Sequence, residues 1–328
     1  MDDVIGIEPA SLALAGNIAF KLLCEATGWK ISAAKSPLPE EVFVVIGVKL
    51  DLSGVPEHEA KLEVTEKRVE QLTKTIQTIQ SSRRLGSGDA ASLTGKLGFT
   101  LCATFGRFGR AKLRAYIRRC GETRAGMNPQ ILAANEFWLK FLTSYTPRRI
   151  PVFLDKLDVV VSYSDGEGAD AGLGIAVWSS RCKNGPLAAF CEIPTAIRKL
   201  WSRQRDEGFN DIFLIEAIGP LAILSTFPKI VKGALWLHYI DNVAAEYSLV
   251  KGSSSIRSGD VVVGETWRSI QKLNIYAYFD RVASESNPVD GLSRGRPNGP
   301  WQRVVKALLP ANLEKLLESE DNSSSDID

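Results

Sequence analysis

Apolar positions follow different periods in the two halves of the chain. Over residues 63–146 the spacing is helical. Val69, Leu72, Ile76 and Ile79 fall at i, i+3, i+7 and i+10, and Leu93, Leu97, Leu101, Phe105 and Phe108 carry a second stripe after the break at Ser87-Gly88-Asp89. Two or three packed helices follow from that pattern. Beyond residue 157 the runs become short and β-branched, over 159–163, 172–179, 187–193, 234–240 and 275–279, which predicts strands. The first run breaks at Asp165-Gly166 and a small-residue turn leads into the second, the pattern of a β-hairpin. Between the third and fourth runs, IFLIEAIGPLAILSTF is apolar on both sides of one charge, Glu216, and reads as a mostly buried helix. Ahead of all this, residues 11–27 suit a helix and 42–52 a strand pair, while TPRRIP at 146–151 reads as an extended, exposed, basic linker.

Composition places the chain among ordinary globular proteins: 328 residues, 45% hydrophobic and 24% charged, long enough for two domains. No apolar run approaches the roughly 20 residues of a membrane span, no signal-sequence pattern opens the chain, and an intracellular location is expected. Five scattered cysteines, no Cys-x-x-Cys and only two histidines, His58 and His238, argue against a disulfide framework and a structural zinc site. The net charge of +2 is uneven. Residues 311–328 hold six acids against Lys315, leaving a basic body and an acidic tail expected to be disordered.

Four carboxylates stand where chemistry could use them. Asp165 closes the first strand run, where it is either a plain turn residue or a strand-end acid. Glu216 is a lone charge in an apolar helix, and burying it requires a partner such as a metal or a hydrogen-bond network. Asp241, followed by Asn242, ends another strand run. Asp290 follows the last run, and Pro288 just before it suits a helix start. A second feature is a cluster of one sign: Arg107, Arg110, Lys112, Arg114, Arg118, Arg119 and Arg124 against the single acid Glu122. Solvated helix faces mix signs, so this cluster points to phosphate contact, with a solvated face as the competing reading. Lys251, Ser253, Ser254 and Arg257 are weaker candidates of the same kind, equally readable as loop and helix-cap chemistry.

The order of these features resembles the ribonuclease H domain of retroelement reverse transcriptases, in particular of the retroelement polyproteins common in protist genomes. It runs strand with Asp-Gly, hairpin, helix with Glu, strand ending Asp-Asn, helices, strand, and then Asn-Pro-Val-Asp-Gly-Leu-Ser-Arg at 287–294. The resemblance implies a ribonuclease H-like mixed five-stranded sheet with flanking helices. It implies that Asp165, Glu216, Asp241 and Asp290 hold two Mg²⁺ ions, or Mn²⁺, roughly 3.5–4 Å apart for in-line cleavage of a phosphodiester. The substrate would be the RNA strand of an RNA–DNA hybrid, and Asn242 would contact nucleic acid near the cut. Two departures stand out: no histidine lies between Arg281 and Asp290, and Glu167 and Asp170 add charge beside Asp165.

The same resemblance covers the first half. Asp2 and Asp3 match a polymerase motif with paired aspartates, Lys35 a segment after the palm helix, and FVVIGVKLDL a primer-gripping hairpin. LTGKLGFTLCATFGRFGRAKLRA resembles helices that hold primer-template. The implied organisation is a truncated α+β palm remnant at 1–60, a helical thumb or connection at 61–147, the ribonuclease H-like domain at 148–295, and a C-terminal helix and acidic tail at 296–328. Polymerase activity is not expected from these residues, and the rest of a retroelement polyprotein is a candidate partner. Two other readings remain: a catalytically silent nucleic-acid-binding remnant, or a nuclease of the same fold acting on DNA.

Overall fold

The computed structural model describes residues 6–32, 36–103, 106–168, 170–203 and 211–321. Asp2, Asp3 and Lys35 therefore lie outside the described residues, as do Phe105 and 322–328 of the acidic tail.

The first half combines a four-stranded sheet with a helical bundle. Helix α1 (Ala10–Ala26) precedes strands β1 (Val42–Val45), β2 (Val48–Asp51) and β3 (Glu59–Val64). Helices α2 (Glu66–Ser82), α3 (Ser87–Thr100), α4 (Arg110–Cys120) and α5 (Pro129–Ser144) follow, and then β4 (Arg148–Pro151). The periodic residues do what their spacing requires: Leu72, Ile76, Leu93 and Leu97 are buried in one core with Tyr116, Ile131 and Trp138. Thr65 accepts from the Arg68 N–H and Asn128 from the Ile131 N–H, capping α2 and α5. The second apolar stripe does not continue as one helix. It stops at Thr100, and α4 starts only after Gly109, whose φ of 86° strains any side chain and where a Cβ would press on the rings of Phe137 and Trp138. TPRRIP is likewise no free linker. Its residues form β4, antiparallel to β3 with Ala60 opposite Ile150, and complete the sheet in the order β1-β2-β3-β4. The extended backbone that proline imposes suits a short edge strand as well as a linker.

The second half is a mixed sheet with flanking helices. Strands β5 (Val159–Gly166), β6 (Gly172–Ser179) and β7 (Leu187–Glu192) form an antiparallel meander. β8 (Leu235–Ile240) then pairs parallel to β5, and β9 (Tyr276–Arg281) parallel to β8. The sheet has six strands and not five, in the order β10-β7-β6-β5-β8-β9, because β10 (Arg303–Lys306) adds parallel to the otherwise open edge of β7. α6 (Thr195–Arg203) follows β7, and α7 (Ile212–Thr226) lies across β5 and β6. Because α7 is apolar all round it is buried all round: every residue from Phe213 to Leu224 is buried, Glu216 included. α8 (Pro228–Val231), α9 (Val243–Lys251), α10 (Arg257–Lys272) and α12 (Leu313–Asp321) follow, with α10 packed on α7, while α11 (Asp290–Ser293) packs on the other face of the sheet against Ala176 and Ala188. These features are consistent with a ribonuclease H-like fold.

Candidate metal centre and basic surface

Strand register builds the site. β5 and β8 run parallel with Tyr163 opposite Tyr239, and their rings stack at 5.2 Å. Side chains alternate along a strand, so the residues two further on, Asp165 and Asp241, emerge at the same level and on the same face. Glu216 reaches the same point from α7, where the Gly166 N–H donates to its Oε1 at 2.9 Å. One carboxylate oxygen from each of Asp165, Glu216 and Asp241 lies within 4.8 Å of the others. Two glycines permit the approach. A Cβ on Gly219 of α7 would overlap the Ser164 hydroxyl, and one on Gly172 of β6 would overlap the Ser293 carbonyl of α11.

Asp290 is brought near but not into this cluster. It stands half-exposed on α11 and pairs with Arg294 at 2.8 Å. Its helix instead contributes Ser293, whose hydroxyl bonds to Asp165 Oδ2 and lies 2.8 Å from the Asp290 carbonyl. Ser293 was hidden in the sequence as an ordinary serine one turn after the acid. Asn287 was similarly inconspicuous, and its amide donates to the Ser164 carbonyl at 2.9 Å in the interior.

Burial and mutual repulsion set the electrostatics. Desolvation above all raises Glu216 to about 9, with Asp241 and Asp165 adding repulsion and the Gly166 N–H opposing it. Asp165 is raised to about 6, again chiefly by burial, with the Ser293 bond acting against the negative fields of Asp241 and Asp290. Glu216 Oε2 is buried and receives no hydrogen bond from a donor group, and while protonated Glu216 can bond only to the Asp241 carboxylate beside it. A buried carboxylate oxygen left in this state, facing two other carboxylates, fits a divalent cation. The donor set is all hard oxygen, with no histidine or cysteine in the cluster, which suits Mg²⁺ or Mn²⁺ and not zinc.

Beneath the cluster, on the opposite face of the sheet, runs a polar chain. The Trp236 indole N–H donates to Ser162 Oγ at 2.7 Å, and Ser162 Oγ is 2.9 Å from His238 Nδ1. His238 Nε2 lies 3.2 Å from Ser164 Oγ. His238 is wholly buried, and burial lowers its pKa to about 3, so the ring is neutral. An indole nitrogen only donates. Ser162 therefore accepts from Trp236, and the directions of the Ser162–His238 and His238–Ser164 bonds follow from which ring nitrogen carries the single proton of the neutral imidazole.

The basic cluster divides. Lys112, Arg114 and Arg118 of α4 line one shallow depression with Arg257 of α10, so the fold brings together two stretches that are far apart in sequence. Arg110 is exposed, and Arg118 Nη1 donates to Gln130 at 3.2 Å. Arg114 pairs with Asp260 at 3.0 Å, and Arg107 donates to the carbonyls of Val250 and Gly106. Two expected phosphate contacts are corrected. Arg119 is only 2% exposed, pairs with Glu122 and donates to the carbonyls of Arg124 and Gly126, so its guanidinium closes a turn inside the protein. Ser253 is 4% exposed and presents no surface hydroxyl. Asn242 caps α9, its Oδ1 accepting from the Ala245 N–H at 3.0 Å. Trp201, Trp236 and Trp267 are core residues.

No protein-family model matches the chain, and no curated protein matches it. Among solved structures, a foamy viral protease-reverse transcriptase (dRH) in complex with double-stranded DNA aligns at 15% identity with a TM-score of 0.33 over 85% of this chain and 44% of that one. A foamy viral protease-reverse transcriptase with double-stranded DNA aligns at 14% identity with a TM-score of 0.30 over 81% of this chain and 50% of that one. The chain thus spans half or less of the length of these structures, and at such scores no residue role follows from them. No helix among the described residues is long and apolar enough to cross a membrane.

Proposed function

We propose that this chain is a metal-dependent nuclease cutting the RNA strand of RNA–DNA hybrids, the ribonuclease H part of a retroelement reverse transcriptase. The observation that carries this reading is the convergence of Asp165, Glu216 and Asp241 from three separate elements, with one buried oxygen of Glu216 receiving no hydrogen bond from a donor group. Bound divalent cations supply positive charge against the phosphoryl group and make water acidic enough to attack. Asp165, Glu216 and Asp241 would hold them, with Asp290 joining only on release from Arg294. The Gly166 N–H orients Glu216 and the Ser293 hydroxyl orients Asp165, so neither carboxylate is free to swing. Both raised carboxyls must give up protons to take a cation, so affinity rises with pH through the range near 6 and above.

Recognition on this reading is a backbone matter. Arg110, Lys112, Arg118 and Arg257 would meet phosphates, while contacts to 2′-hydroxyls select the RNA strand without reading bases. The four-stranded sheet would be the end of a polymerase palm and helices α2 to α5 a thumb or connection.

The test is cleavage of end-labelled RNA–DNA hybrid, duplex DNA and duplex RNA in Mg²⁺, run beside Asp241→Asn. RNA cutting confined to the hybrid and abolished by the substitution is the expected result. A folded sample that binds hybrid but cuts nothing in Mg²⁺ or Mn²⁺ overturns the assignment in favour of a silent nucleic-acid-binding protein.

A further inference from the structure

The polar chain under the sheet is out of place by the standards of its surroundings. Trp236 belongs to a buried apolar core with Val160, Leu173, Ile175, Ile218 and Ile240, and His238 packs against Phe279 of the same core. Apolar side chains at 162, 164 and 238 would pack there without any polar group to satisfy. Its route is informative. The β5–β8 ladder ends with Tyr163 opposite Tyr239, one residue short of Ser164. The His238–Ser164 bond therefore ties the strands together past the end of their backbone pairing, immediately before Asp165 and three residues before Asp241. From Ser164 the connection continues through its carbonyl to the Asn287 amide, three residues before Asp290 and six before Ser293, which itself holds Asp165. One hydrogen-bonded path, Trp236–Ser162–His238–Ser164–Asn287, thus joins three of the segments that carry the acids.

We propose that His238 and Asn287 are positioning residues that act through Ser164 to fix the spacing of the Asp165 and Asp241 carboxylates for divalent-cation binding. The inference rests on reading Asp165, Glu216 and Asp241 as a cation site, and concerns residues that touch neither cation nor substrate. No backbone pair joins β5 to β8 beyond Tyr163 and Tyr239, and each strand end is held only from its other side, Asp165 opposite Gly174 and Ile240 opposite Arg281, so without the His238 bond nothing ties the two ends directly to each other. Without the Asn287 amide, α11 loses one of its two hydrogen-bonded ties to β5, the other being Ser293 to Asp165. The expected loss of metal affinity is about tenfold for either substitution, the low end for groups that orient metal ligands.

Calorimetric titration of the full chain with Mn²⁺ tests this without reference to cleavage. His238→Leu and Asn287→Ala should each weaken Mn²⁺ binding about tenfold. His238→Gln, whose amide offers one donor and one acceptor, should restore most of it. The His238→Leu/Ser164→Ala double variant should be no worse than the more damaging single one, since both cut the same path. Trp267→Phe is the control for mere destabilisation: it removes another buried bond, from the indole to the Leu249 carbonyl, and should lower the melting temperature without moving Mn²⁺ affinity. Should His238→Leu not fold, His238→Gln and Asn287→Ala carry the comparison, and Asn287→Ala binding like the wild type overturns the proposal. So does His238→Leu within about twofold of wild type, or an equal loss from Trp267→Phe. A wild-type chain that binds no Mn²⁺ sinks the cation-site reading itself and this inference with it, a result distinct from intact binding that ignores the substitutions.

Discussion

Replacing Glu216 by glutamine should make the metal-free protein more stable, and only at pH values where the carboxylate would have to ionise. The folded-state pKa of Glu216 is raised from 4.5 to about 9. Raising it means that the protonated side chain is favoured in the fold, so its contribution is fully present below pH 4.5 and is lost as pH climbs toward 9. At about 1.4 kcal/mol per pH unit the loss between pH 4.5 and 7, as the unfolded chain ionises and the folded one stays protonated, comes to roughly 3 kcal/mol. Asp165, raised from 3.8 to about 6, adds a smaller loss over that lower interval. Glutamine keeps an acceptor for the Gly166 N–H and carries no charge. Urea unfolding in EDTA at pH 4.5, 6, 7 and 8 should therefore find Glu216→Gln about equal to wild type at the lowest pH and about 3 kcal/mol more stable at pH 7. Millimolar Mg²⁺ should recover much of the wild type's deficit at pH 8 and help the variant less. A variant no more stable than wild type at pH 8, or an advantage independent of pH, would refute the argument that a buried, repelled carboxylate dominates this site.

Three further outcomes test other parts of the structure. Gly172→Ala forces a methyl group into the Ser293 carbonyl and should cost about 1–3 kcal/mol while displacing α11, read as a lower melting temperature together with weaker Mn²⁺ binding. Arg119→Met leaves the buried carbonyls of Arg124 and Gly126 without their donor while Glu122 remains solvated, so it should lose about 2 kcal/mol, whereas exposed Arg110→Gln should leave stability alone. In hybrid-binding titrations at several salt concentrations, Arg110→Gln is expected to reduce the salt slope by about 1, as for one lost phosphate contact.

Much of the architecture was legible from local pattern, because the face an element buries is written in its own spacing. The strand expected at 172–179 is β6, Gly172–Ser179, and the apolar run around Glu216 is a helix buried on all sides. The acids Asp165 and Asp241 announced themselves by ending strand runs, and the parallel register of those strands then places them side by side. Glu216 announced itself as a charge with no polar neighbour in sequence.

What local pattern could not decide was the partner. TPRRIP reads as a linker and Val304-Val305 falls in a stretch expected to hold only a helix and an acidic tail, until sheet edges far away in sequence supply the hydrogen bonds that make Arg148–Pro151 β4 and Arg303–Lys306 β10. Among equal-looking arginines, burial took Arg119 inside and left Arg110 outside, and no spacing rule separates them. Asp290 sits in the most distinctive stretch of the sequence, yet the fold pairs it with Arg294 and sends Ser293 to Asp165 instead. His238 looked like one polar residue in an apolar strand, and its role depends on Ser162 and Ser164 across the sheet. Periodicity is a property of a segment and survives in the sequence. The charge state and hydrogen-bond partner of a buried group belong to contacts between segments, and those exist only once the chain has folded.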